Sequence, residues 1–143
     1  MRVVVDTNVI VSALISAGSP PDQVLRAWRR GAFELIISPA LLIEVESVLP
    51  RAKIATRVRW SGRKLASFVE ELHRKTSVVN PQQELHVIAA DPSDNRVLEA
   101  ASEGHADYIV TGDGHLLDLG RHEFTDIVTP ARFLAILTTA TNP

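Results

Sequence analysis

Short apolar runs that each end in a helix-start signal are the strongest constraint on this chain. Val3, Val4 and Val5 read as a strand over residues 2–6, and Thr7 or Asn8 caps a helix running to about Ile15. Gly18, Ser19, Pro20 and Pro21 then break the chain before a helix over 22–30, with Val24, Leu25 and Trp28 inward and Gly31 as its stop. A second strand, 33–37, runs into Ser38 and Pro39, a hydroxyl cap followed by proline at the first helical position. Leu41, Leu42, Val45, Val48 and Leu49 carry that helix to Pro50.

The pattern continues toward the C-terminus. Ser61 caps a helix holding Leu65, Phe68, Val69 and Leu72, residues 77–79 form a short strand, and 80–90 carry no clear element. Asp91 and Pro92 open a helix with Val97, Leu98 and Ala101 inward, which Gly104 ends. Tyr108 to Val110 is a strand leading into TGDGHLL, and a last strand near Ile127 and Val128 precedes a helix after Thr129 and Pro130. Alternation of this kind predicts an α/β fold, a parallel sheet with helices on both faces.

At 143 residues, 45% of them hydrophobic, the chain is long enough to bury a core as one domain over 1–143 without disulfides. Cysteine is absent, which excludes zinc ribbons and thiol nucleophiles and agrees with a reducing compartment. Asp6 comes too early for a signal-peptide apolar region, and no apolar stretch nears the roughly 20 residues needed to span a bilayer. A soluble, cytoplasmic protein is expected. The net charge of −2 gives no overall footprint for a polyanion. Locally, however, Arg51, Lys53, Arg57, Arg59, Arg63 and Lys64 fall between 51 and 69 with no acid among them. They form either a solvated helical face or a phosphate-contacting patch, with Trp60 beside them packed or stacking a base.

Several carboxylates stand where carboxylates are costly. Asp6 ends an apolar strand, and in an open parallel sheet ligands collect beyond the carboxyl ends of the strands. Asp113 follows another strand after Thr111 and Gly112, where an ordinary turn aspartate is the alternative. Glu44 interrupts an apolar helical stripe, four residues from Ala40 and Val48, whereas Glu46 faces solvent. A buried Glu44 calls for compensation, either by an arginine of the basic segment or by a cation. In DPSDN, Asp91 suits the N-cap, and Asp94 shares the inward face of Val97, Leu98 and Ala101. Asp6, Glu44, Asp94 and Asp113 would converge on one edge of the sheet, where their repulsion favours a divalent ion. With oxygen donors and no Cys or His set, that ion is Mg²⁺ or Mn²⁺.

The stretches VVVDTNVIVSALIS, SPALLIEVESVL, DPSDNRVLEAA and YIVTGDGHLL, with the closing TPARFLAIL, resemble in order and spacing the PIN-domain proteins. The likeness is greatest to small bacterial members similar to VapC-type toxins, and it covers essentially the whole chain. It implies a three-layer α/β/α PIN fold and a metal-dependent endoribonuclease with the acidic quartet on Asp6, Glu44, Asp94 and Asp113. By the same resemblance Thr7, Asn8 and Thr111 support the metal site or its water, and the partners are an RNA substrate, a cognate antitoxin and a second copy of the chain. Many relatives carry a further acid close after the final aspartate; here His115 stands nearby, able to alter metal preference or bind phosphate. RNA contact would fall to Arg51, Lys53, Arg57 and Arg59. His73, His86, His105 and His122 show no pairing and read as surface residues.

Two other readings remain open. A haloacid-dehalogenase-type phosphatase also places aspartate after its first strand, but its chemistry wants a second aspartate two residues on, where this chain has Asn8. A non-catalytic module that keeps the fold to bind RNA or a partner is the other.

Overall fold

The computed structural model describes residues 1–51 and 62–141. Lys53, Arg57, Arg59, Trp60 and the predicted cap Ser61 lie outside them. In chain order the described elements are β1 (Arg2–Val5), α1 (Thr7–Ile15), α2 (Pro20–Arg29), β2 (Glu34–Ile37), α3 (Pro39–Val48), α4 (Gly62–Arg74) and β3 (Ser77–Val78). There follow α5 (Pro92–Glu103), β4 (Tyr108–Val110), α6 (Gly114–Leu119), β5 (Arg121–His122), β6 (Thr125–Val128) and α7 (Pro130–Thr141).

The strands form one sheet in the order β3-β2-β1-β4-β6-β5, parallel except for the β5–β6 pair. Successive strand side chains point to opposite faces, yet Val3, Val4 and Val5 are all buried. Both faces of β1 are therefore covered by helices, as the apolar run predicts. The core continues through Leu35, Ile36 and Ile37 of β2, Leu98 of α5, Ile109 of β4 and Phe133 of α7. Phe133 meets Phe33 and Tyr108 edge to face, with ring centres 5.1 and 5.9 Å away.

From β1 the chain builds outward to β2 and β3, then returns to lay β4 against the other side of β1. The order reverses between β1 and β4, so their carboxyl ends flank the crevice where such sheets take ligands. Val5 pairs with Val110, which sets Asp6 and Thr111 side by side at that crevice.

Several local details depart from expectation. Helix α2 starts at Pro20 rather than Asp22, because Ser19 caps it by accepting from the Asp22 N–H and both prolines fit a first turn, which needs no N–H donors. The cap of α1 is Asp6, not Thr7 or Asn8, and its side chain makes no capping bond. Gly104 ends α5 as read, but for a steric reason: a Cβ there would come within 2.8 Å of Ile36, and the positive φ of 50° falls on His105. The two-residue β5 is not foreshadowed by any apolar run in the sequence.

Two histidines each correct one half of the expectation of unpaired surface residues, His73 being on the surface but paired and His122 being without a hydrogen-bond partner among the described residues but largely buried. The ring of His73 lies 2.6 Å from Glu46, and the side chain of His122 is only 15% exposed, with its Nε2 3.8 Å from Glu123. Between β3 and α5 the chain has no regular element, but α5 holds it. Asn95 accepts from the Ile88 N–H at 2.9 Å and donates to the Ile88 carbonyl at 2.7 Å. Glu99 accepts from the Leu85 N–H at 2.8 Å.

Candidate active site

Asp6 is carried past the end of β1 and held there by backbone and side chain together. Its N–H donates to the Val110 carbonyl at 2.9 Å, extending the ladder one residue beyond the strand. The Thr111 hydroxyl donates to Asp6 Oδ2 at 2.7 Å, and the carboxylate makes no capping bond of normal geometry to α1. The same hydroxyl oxygen accepts from the Asp113 N–H at 3.0 Å. One buried hydroxyl thus fixes both aspartates. Burial raises the Asp6 pKa, the Thr111 hydroxyl opposes that rise, and the charge of Asp113 adds to it.

Asp113 caps α6, its Oδ1 accepting from the His115 and Leu116 N–H groups at 2.8 and 3.1 Å. Asp91 caps α5 in the same way, accepting from the Ser93 hydroxyl at 2.7 Å and the Ser93 N–H at 3.0 Å, and these bonds lower its pKa. The caps of α1, α5 and α6 are all aspartates at this end of the sheet.

Asp94 lies one turn into α5 and is 5% exposed, buried as its helical face predicts. Burial first, and then the charges of Asp113, Asp91 and Asp6, push its pKa up to about 7. Its Oδ2 is sealed from solvent without a hydrogen-bond partner. Glu44 is half-buried on α3 and has its pKa raised by burial first and by Asp6 second. The Thr7 hydroxyl is near enough to offset part of that rise but closes no hydrogen bond of normal geometry. The arginine compensation expected for Glu44 falls to the basic segment, of which Lys53, Arg57 and Arg59 lie outside the described residues.

Asp6 links these acids, which come from four separate elements: it feels Asp113 and acts on both Glu44 and Asp94, Asp94 also feels Asp113 and Asp91, and Glu44 feels Asp6 and Asp91. Thr7 is buried among them, Asn8 is exposed in the first turn of α1, and His115 is exposed in α6 with its charge acting on Asp91. Arg51 is exposed.

Among the described residues no three His, Cys, Asp or Glu side chains already converge closely enough to hold a metal ion. The donor chemistry nevertheless suits a hard divalent cation. An orphaned carboxylate oxygen on Asp94 and an orphaned hydroxyl on Thr7, both buried, are groups that an ion or its bound water would satisfy. Asn95 and Glu99 are also buried, and sequence reasoning missed them; the signal was their position on the inward side of α5, next to Asp94 and Leu98.

An open, mainly parallel sheet with acids at its reversal point defines an α/β domain of the kind that takes ligands at its strand ends. The family model for the PIN domain matches residues 2–115, and the chain belongs to the PIN-domain family. PIN domains are generally nucleases, so the fold is of nuclease type. The chain is also similar to an uncharacterized protein of Methanocaldococcus jannaschii, 28% identical over 119 residues, which are 83% of this chain and 75% of the relative.

Proposed function

We propose that this chain is a divalent-metal-dependent endoribonuclease that hydrolyses RNA phosphodiester bonds, as the toxin of a toxin–antitoxin module. The observation that carries the reading is the pair Asp6 and Asp113 held by one Thr111 hydroxyl at the sheet's reversal point, with Glu44 and Asp94 each feeling the charge of Asp6 and an unsatisfied oxygen on Asp94. So much negative charge in one crevice is costly unless a cation shares it.

On this reading Asp6 and Asp113 are the main ligands of Mg²⁺ or Mn²⁺, Asp94 is the next, and Glu44 binds through water or orients the attacking water. A bound ion would lower the pKa of that water and neutralise charge developing on the phosphate. Thr111 keeps Asp6 and Asp113 in register, Thr7 stands beside Glu44, and Asn8 and His115 border the opening. Arg51, with Lys53, Arg57 and Arg59, would hold the RNA backbone. The partners are the RNA, a cognate antitoxin whose segment covers the acidic crevice, and a second copy of the chain. A cytoplasmic location goes with this reading, and among the described residues no helix is long and apolar enough to cross a membrane.

The test is direct. Purified protein is expected to cleave RNA with Mn²⁺ or Mg²⁺, to stop in EDTA, and to lose cleavage on Asp6→Asn while its circular dichroism is unchanged. Cleavage at the original rate by the Asn variant would remove the metal-ligand role. The second reading, a non-catalytic RNA- or partner-binding module, draws on His115 at the position near which many relatives carry a further acid. RNA binding without metal-dependent cleavage would favour it.

A further inference from the structure

Away from the acidic crevice, the end of α1, the flank of α2 and the face of α4 enclose a groove of about 690 Å³. Four cations line it, Arg26, Arg29, Lys64 and Arg74, against two acids, Asp22 and Glu71. That surplus is local, because across the whole chain 17 acids outnumber 15 bases.

The two acids are engaged in ways that leave much of the positive charge outward. Asp22 takes Arg26 through Nε at 3.0 Å, and the Arg26 side chain stays 63% exposed with its terminal nitrogens in no ion pair among the described residues. Glu71 takes Arg29 through Nε and Nη2, at 3.1 and 3.0 Å, and Lys75 at 3.5 Å. Arg29 also lies over the Phe68 ring, 5.6 Å from its centre, so this guanidinium is held in place. Among the described residues Arg74 reaches Glu70, at 3.7 Å, and its side chain is 64% exposed. The apolar members offer little to a protein segment, since Leu14 and Phe68 are themselves buried. What the groove presents to solvent is the outer guanidinium ends of Arg26 and Arg74, each exposed beside the one acid it pairs with.

We infer that this groove is a second binding surface for the nuclease's substrate, holding the phosphates of a single-stranded RNA about one helix length from the acidic crevice. The inference rests on the proposed ribonuclease function. Asp6 caps one end of α1 and the groove borders the other, so the two lie about one nine-residue helix apart, roughly 13 Å. A strand reaching the crevice would meet carboxylates that repel it; anchoring its backbone on Arg26 and Arg74 opposes that repulsion at a site the metal does not occupy.

The experiment measures binding alone. A short labelled oligouridine is titrated in EDTA, so that no cleavage competes, at salt between about 50 and 200 mM. The double variant Arg26→Glu with Arg74→Glu is expected to bind at least tenfold more weakly. Its dependence of log affinity on log salt should be shallower by about 1.4, the value for two lost single-strand phosphate contacts. Arg26→Gln with Arg74→Gln, a milder change should the reversal fail to fold, should show the same shallower slope. Arg121→Glu, at the opposite end of the sheet, is the control and should stay within about twofold by the same electrostatic argument. Unchanged affinity and slope in both groove variants would overturn the inference and leave the groove to a protein partner. So would an equal loss in Arg121→Glu. Because no metal is present, failure of the groove is distinguishable from failure of the cleavage reading.

Discussion

Asp94 pits burial against function at a single carboxyl. Its folded-state pKa of about 7 stands above the ordinary 3.8, so between those values the folded chain keeps a proton that the unfolded chain has released. The contribution of Asp94 to metal-free stability is therefore greatest below pH 4, falls as pH rises toward 7, and levels off above. Asn mimics the protonated acid, so Asp94→Asn is expected to flatten this profile. In metal-free urea melts it should be more stable than the parent at pH 8, by on the order of 2–4 kcal/mol, and about equal to it at pH 4. The same variant should lose cleavage. An unaltered pH profile would mean that Asp94 is not the buried acid responsible. Thr111 tests the opposite case, a polar group fully satisfied. Thr111→Val strips a hydrogen bond from Asp6 and another from the Asp113 N–H, and should cost about 1–3 kcal/mol in melts while lowering cleavage.

At the scale of elements, what could be read from sequence was whatever is written locally. Three valines before Asp6, Ser38 before Pro39, and Asp91 before Pro92 each hold a strand or cap signal within a few residues, and each element formed there. Asp94 and Glu44 were visible because a carboxylate breaks a 3.6-residue apolar period. The connector over 80–90 was not legible, since its order comes from α5 through Asn95 and Glu99, seven and fourteen residues away from their partners. Nor was the pairing of His73 with Glu46, which depends on how α4 lies against α3. Asn95→Ala leaves both backbone groups of Ile88 without their side-chain partner, and it acts on the segment that leads into Asp91 and Asp94. Proteolysis within 84–90 is expected to speed up severalfold while the far-ultraviolet dichroism stays constant. Cleavage of this segment at the parent's rate would show that Glu99 and the backbone suffice.

For the whole molecule, the placement of the acids follows from the topology rather than from any one residue. Reversing the strand order between β1 and β4 leaves a crevice, and β1, β4 and the helices that begin there deliver Asp6, Asp113 and Asp94, while α3 adds Glu44 from the side. Folding thus buries these acids first and draws their charges together second, and raised pKa values on Asp6, Glu44 and Asp94 record the cost. A divalent ion bound only by the folded state reverses this, adding stability in proportion to RT ln(1 + [L]/Kd). Because these acids must lose protons to bind it, the gain must grow with pH. Mn²⁺ or Mg²⁺ is therefore expected to raise the melting temperature more at pH 8 than at pH 5, with EDTA restoring the metal-free value. Asp6→Asn should abolish most of the difference, since it removes a charge without disturbing the sheet. If metal stabilises the parent equally at both pH values, binding does not draw on the raised carboxyls, and the cation lies somewhere other than this crevice.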